Sequence, residues 1–222
     1  MILYDYPLSS ASYRVRIALA LKGIPVQRIT KNLRTDEHLA ADYRALNPQG
    51  FVPALVLDEA AAPPAAPGAG SVPVLTQSLA ILEYLEETHP EPPLLPREPA
   101  ARAATRALCQ VIACDVHPLN NLRVLRYLER ELALDEAARR RWYAHWVSVG
   151  LEAFERLLTR QPAGRYCCGD SPTLADVCLV PQVFNARRFA VDLASVPRIV
   201  AIDAACAELA AFASAAPPKA PA

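Results

Sequence analysis

Three short stretches of the chain carry residue types that could do chemistry. The first is Ser9-Ser10-Ala11-Ser12-Tyr13-Arg14-Val15-Arg16, directly after the apolar run Ile2-Leu3-Tyr4-Asp5-Tyr6. Hydroxyls at a strand-to-helix turn sit where unpaired helix N–H groups and the positive dipole end favour an anion. A thiol held at such a place has its pKa lowered, and a serine hydroxyl can donate to the thiolate. None of the six cysteines lies near this turn, so the thiol would have to arrive on a ligand. Plain helix capping by Ser9 or Ser10 is the competing reading. The second stretch is Val52-Pro53, where proline opens a strand after a loop, a setting compatible with a cis bond that turns the preceding backbone groups toward solvent. The third is Gln77-Ser78 at the head of a helix, where a polar pair can bind a carboxylate or simply cap.

The surrounding pattern supplies the elements that must position these residues. Residues 2–6 read as a short buried strand, and Arg14 to Lys22 continues as a helix with Val15, Ala18 and Leu19 inward. Gly23 and Pro25 mark its stop. A second strand over 26–30 and a helix over 36–46 complete a βαβα pattern, which implies parallel pairing. Strands over 52–57 and 72–76 suggest an antiparallel hairpin, and Leu79, Leu82 and Leu85 put an amphipathic helix over 77–88. The Ala/Pro/Gly-rich connector 58–71 reads as a surface insertion without chemistry. Prolines 90, 92, 93, 96 and 99 give residues 89–99 a linker composition. Beyond it only helical periodicity is visible: one long helix over 100–133, then 135–158, 173–187 and 196–212, with a Pro/Ala tail over 215–222.

Composition narrows the field. The 23 basic and 23 acidic side chains leave no net charge, which argues against a nucleic-acid partner because phosphate contacts need a basic excess. Apolar residues at 53% and charged residues at 21% are globular proportions, and 222 residues allow one large or two small domains. Alanine-rich composition with 21 prolines and 7 glycines predicts many helices with sharp ends. Every apolar run is shorter than a membrane span needs, and no basic stretch followed by an apolar run opens the chain, so neither membrane nor signal peptide is expected. Cysteines 109, 114, 167, 168, 178 and 206 match no CxxC pattern and read as free thiols of a reducing cytoplasm.

A thiol holder, an edge of backbone and a carboxylate holder within one βαβαββα unit have the layout of a thioredoxin-like glutathione site. Here the sequence resembles the glutathione S-transferase superfamily, and within it the zeta class of maleylacetoacetate and maleylpyruvate isomerases. The resemblance covers nearly the whole chain. It is carried by the Ser9–Leu19 stretch, Ala45-Leu46-Asn47-Pro48, the Gln77–Glu87 stretch, the His117–Leu125 stretch and the Leu174–Val183 stretch; the second of these is shared more widely. The resemblance implies an α/β thioredoxin-like N-terminal domain (1–88), the linker (89–99) and an all-α C-terminal domain (100–222) carrying the substrate pocket and dimer contacts, hence a homodimer. It implies glutathione as cofactor, with Ser9 facing the sulfur and Ser10, Ala11 and Arg14 beside it. His38, the backbone of Val52, Gln77 and Ser78, and on the fourth helix His117, Asn121 and Arg123 complete the glutathione contacts. Thr173 and Asp176 look like the superfamily's N-cap and capping partner, a structural role. Many zeta-class members carry Cys where this chain has Ala11. That Cys assists rather than activates glutathione, so the departure lowers the expectation only of side activities such as α-haloacid dehalogenation. Some maleylpyruvate isomerases also lack it.

The implied reaction is cis–trans isomerisation of an alkene conjugated to a ketone, by reversible addition of the glutathione thiolate, in aromatic amino acid catabolism. The thiolate and a transient enolate need stabilising, and a small acidic substrate asks for arginine. Arg14, Arg16, Arg187 and Arg188 are the candidates; alignment with the family favours Arg188, and Arg16 on an apolar face reads equally as a structural ion pair. Trp142, Tyr143 and Trp146 read as core or dimer packing, Arg139-Arg140-Arg141 as a solvated face, and His145 as structural; the four dispersed histidines make no metal site. Maleylacetoacetate leads as substrate. Maleylpyruvate, general glutathione conjugation and a non-catalytic binding module of the same fold are the alternatives.

Overall fold

The computed structural model describes residues 1–58 and 73–218. The connector read as an insertion lies, apart from Asp58, outside the described residues. The chain forms two compact units: residues 1–92 together with 211–222, and residues 93–210.

The first unit is thioredoxin-like. Strands β1 (Ile2–Asp5), β2 (Gln27–Thr30), β3 (Ala54–Val56) and β4 (Val74–Thr76) form one mixed sheet in the order β2-β1-β3-β4. β1 runs parallel to β2, pairing Ile2 with Gln27, and antiparallel to β3, pairing Ile2 with Val56. The connecting helix α1 (Ser10–Leu21) starts four residues earlier than the periodicity marked, because Ser9 takes extended backbone and its hydroxyl accepts the Ser12 N–H at 3.2 Å. Ten of its twelve residues are buried, so its apolar pattern shows no single face. It stops as expected at Gly23, whose φ of 63° a side chain would resist; the Ile24 N–H returns to the Leu19 carbonyl at 2.9 Å. A 3₁₀ turn (Glu37–Leu39) and α2 (Ala41–Leu46) stand where one helix was read. Helix α3 (Ser78–Thr88) closes the unit.

A buried ion cluster ties these elements together. Asp5, 1% exposed at the end of β1, accepts Arg16 Nη1 of α1 at 2.8 Å and Arg28 Nε of β2 at 2.9 Å. Arg16 also donates to the carbonyls of Pro7 (3.0 Å) and Ala215 (2.9 Å). The last helix, α10 (Ala210–Ala215), therefore returns to the first unit instead of completing the helical domain, as a helix over 196–212 had suggested. Arg16 is thus structural.

The second unit is all helical. Residues 100–133 are not one helix. α4 (Pro99–Gln110) passes into a π-helical segment (Val111–Val116), then α5 (His117–Asn120); Asn121 breaks the chain with ψ 163° and caps α6 (Leu122–Arg130). Pro118 and a capping Asn121 explain the break. α7 (Glu136–Leu158), α8 (Leu174–Arg188) and α9 (Pro197–Ala207) follow. Asp176, 0% exposed, accepts the Thr173 N–H at 2.7 Å, the Thr173 hydroxyl at 2.9 Å and the Cys167 N–H at 2.8 Å, the capping box expected at this position. Burial pushes the Asp176 carboxyl up, and these bonds pull it back. α7 passes close to the π segment because residue 150 is glycine: a Cβ there would meet Val116 Cγ2 at 2.1 Å.

Two variants test this architecture. Asp5→Ala leaves the buried Arg16 charge without its partner and should lower unfolding free energy in urea by about 3–5 kcal/mol. Gly150→Ala gains about 1 kcal/mol of helix propensity but overpacks Val116 by about 1–3 kcal/mol. A net loss of stability is expected in the same assay, and a stabilised variant would refute the close approach.

Candidate functional site

In the first unit the structure brings the two proposed helix starts together. Arg14, 1% exposed on α1, donates from Nη1 to the Ser78 hydroxyl at the head of α3, at 3.1 Å. The connection spans 64 residues of sequence and fixes one helix N-terminus against the other. Within the serine turn the hydroxyls differ. Ser9 Oγ is occupied as the cap acceptor for Ser12 N–H, yet its own proton stays available. Ser10 is 4% exposed and its hydroxyl has no hydrogen-bond partner among the described residues. The N–H groups of Ser10 and Ala11 precede the first intrahelical bond and point out of the helix end. Unpaired donors at a positive dipole end suit a thiolate.

Gln77 holds φ 68°, ψ 115°, a left-handed setting that costs a side-chain-bearing residue about 1–3 kcal/mol. Its Nε2 donates to Gln49 Oε1 at 2.8 Å. The Val52–Pro53 bond is cis, and Val52, 7% exposed, precedes the ladder that begins at Ala54. The loop leading to Val52 is anchored at the Phe51 carbonyl, which accepts the Tyr43 hydroxyl at 2.5 Å and Asn47 Nδ2 at 2.8 Å. Burial raises the Tyr43 phenol to about 12, so it remains a donor at neutral pH. Asn47 of the Ala45–Pro48 motif is therefore a loop anchor. His38, 9% exposed, lies in the 3₁₀ turn, and its carbonyl would meet a Cβ on Gly50 at 3.0 Å.

In the second unit the proposed residues are distributed differently from the single fourth helix expected. His117 opens α5, directly after the π segment. Asn121 spends its side-chain oxygen on the Val124 N–H at 3.1 Å, and Arg123 is exposed on α6. The arginine candidates separate cleanly. Arg16 is tied to Asp5 and Arg187 pairs with Asp203, whereas Arg188 has no ion pair or hydrogen bond among the described residues. Arg188 and Tyr143 line a pocket of about 440 Å³ with Arg139 and Arg140, so the supposed solvated face contributes two residues to a concave wall. Tyr143 is core, as read; Trp142 donates to the Leu119 carbonyl at 2.8 Å. Missed by sequence reasoning were the Arg14–Ser78 bond, the Gln49 contact and the Tyr143–Arg188 pocket. All three are long-range; the strain at Gln77 was missed as well, because no local sequence signal exists for it.

Family models for the glutathione S-transferase N-terminal and C-terminal domains match residues 8–88 and 136–213. The chain belongs to the glutathione S-transferase family. It is 47% identical to maleylacetoacetate isomerase of Rhizobium meliloti over 99% of this chain and 97% of that one. It superposes with a TM-score of 0.90 on a holo maleylpyruvate isomerase, a bacterial zeta-class glutathione S-transferase, at 49% identity over 100% and 99% of the two chains. The same TM-score relates it to maleylacetoacetate isomerase of Methylobacterium extorquens AM1, solved with malonate and glutathione bound, at 40% identity over the whole of both chains.

The cap role of Ser9 makes its two simplest variants informative. Ser9→Ala should lose about 0.5–2 kcal/mol of stability, Ser9→Gly only a few tenths. Both remove the hydroxyl, so glutathione-dependent turnover should fall alike in both, while chemical denaturation separates them. Turnover that tracks stability instead would reduce Ser9 to a cap.

Proposed function

We propose that this glutathione S-transferase is a zeta-class, glutathione-dependent cis–trans isomerase acting on maleylacetoacetate. The observation that carries the reading is the α1 start, where a buried Ser10 hydroxyl, unpartnered among the described residues, and outward N–H groups stand beside Ser9, with Arg14 linking the turn to Ser78. These residues fit glutathione. The α1 end favours a sulfur anion, and the α3 end with Gln77 and Ser78 favours the γ-glutamyl carboxylate. Val52 offers backbone outside the ladder; His38, His117, Asn121 and Arg123 are the remaining proposed contacts.

When bound, glutathione supplies the thiolate that adds reversibly to the activated double bond. The chain's own groups divide the rest. Ser9 donates its proton toward the sulfur, with Ser10 and the Ala11 N–H adding fixed positive potential. Arg14 holds Ser78 in place at the carboxylate end. Arg188, the candidate without an ion pair or hydrogen bond among the described residues, receives the acidic substrate.

Maleylpyruvate is a second reading, left open by Ala11 and supported by the 49% identity to an isomerase of that name. A cytoplasmic homodimer serving aromatic amino acid catabolism is proposed with it. The six free thiols agree with a reducing compartment, and no helix among the described residues is long and apolar enough to cross a membrane.

Rates with maleylacetoacetate and maleylpyruvate, with and without glutathione, test the reading. Trans product should form only with glutathione and without its net consumption. Stoichiometric consumption would instead mark a conjugating transferase. Retention on immobilised glutathione without any turnover would mark a binding module.

A further inference from the structure

The pocket of about 440 Å³ in the helical unit is walled on its polar side by the start of α7 and the end of α8. Its charges are mostly spoken for. Arg140 donates to Glu136 at 2.9 Å, and Arg139 pairs with Glu129. Glu136 is the pocket's own acid, and it is occupied by Arg140. Two donors remain. The Arg188 guanidinium has no hydrogen bond or ion pair among the described residues and lies 5.3 Å over the Phe189 ring. Tyr143 is 2% exposed, and its hydroxyl makes no hydrogen bond among the described residues. Its ring stacks on the same Phe189, centroids 4.0 Å apart and planes 22° from parallel.

A buried hydroxyl without a partner costs stability, and a phenylalanine would fill the same space without that cost. Among the described residues the pocket thus holds two unmatched donors, one of them cationic, while its one carboxylate is already paired with Arg140. A carboxylate complements that pair, with one oxygen for each donor. Phe189 touches both donors and keeps them on one wall.

We propose that Tyr143 and Arg188 together grip one carboxylate of the substrate, the phenol and the guanidinium each donating to one oxygen, which makes Tyr143 a specificity-determining residue. The inference rests on the acidic substrate of the proposed reaction. Burial pushes the Tyr143 phenol well up, against a smaller pull from Arg188, so it remains protonated as a donor through the neutral range.

The test uses the full chain with excess glutathione, titrated calorimetrically with malonate and with neutral malonamide at constant ionic strength. Malonate should bind and malonamide should not. Tyr143→Phe should weaken malonate about tenfold, the loss of one charge-assisted hydrogen bond. It should raise the KM for the isomerised acid by a similar factor, with kcat and the KM for glutathione little changed and the melting temperature raised, because the buried hydroxyl is gone. Arg188→Ala should cost more, and Arg141→Ala, a charge removed from the same helix outside the pocket, less than about twofold. Unaltered malonate affinity and KM in Tyr143→Phe would overturn the proposal while leaving an active isomerase intact. Malonate binding lost in Tyr143→Phe, in a parent chain that isomerises neither acid, would instead overturn the proposed reaction and keep the carboxylate site.

Discussion

The buried carboxylate of Asp5 is the interaction on which the thioredoxin-like unit depends. A charge buried this deeply is costly unless it is paired. Arg16 and Arg28 hold it, and each comes from a different neighbour of β1. Because Arg16 also reaches the carbonyls of Pro7 and Ala215, one guanidinium joins the strand, the turn before the serines, the first helix and the end of the chain. The position of Ser9 follows from this, since the turn from Pro7 to Ser9 has little room once Arg16 and the α1 start are both set.

Around that anchor the site is built from groups left deliberately incomplete. Ser10 and Ser12 are buried with unpartnered hydroxyls, Gln77 stays in a left-handed backbone, and the helix end exposes its first N–H groups. Each costs stability where it stands, and each offers a donor or a dipole to an anion. Tyr143 and Arg188 repeat the pattern in the helical unit. Asp176, equally buried but internal, has three hydrogen bonds by contrast.

Sequence patterning reached further in the first unit than in the second. The succession of strands and helices and the first helix's stop were legible there because turns and caps write themselves into neighbouring residues: Gly23, Pro25 and Ser9 are all local signals. The long helix over 100–133 was misread because apolar periodicity runs through a π segment and a capped break with only a small phase shift. Asn121, read as a ligand contact, spends its side-chain oxygen as a cap for the Val124 N–H, a use the sequence did not separate from ligand binding. The return of α10 to the first unit had no local mark at all.

By itself the sequence determined the two-part organisation, the serine-bearing helix start, the Thr173–Asp176 capping box and the family, because these depend on residues within a few positions of one another or on short motifs. The tertiary structure alone decided which arginine is structural and which is available. Arg16, Arg187 and Arg188 are chemically identical; their partners among the described residues, Asp5 and Ala215 for the first, Asp203 for the second and none for the third, are decided by distant points in the chain. A guanidinium's role is set by the acceptor that reaches it, and only folding brings that acceptor within 3 Å.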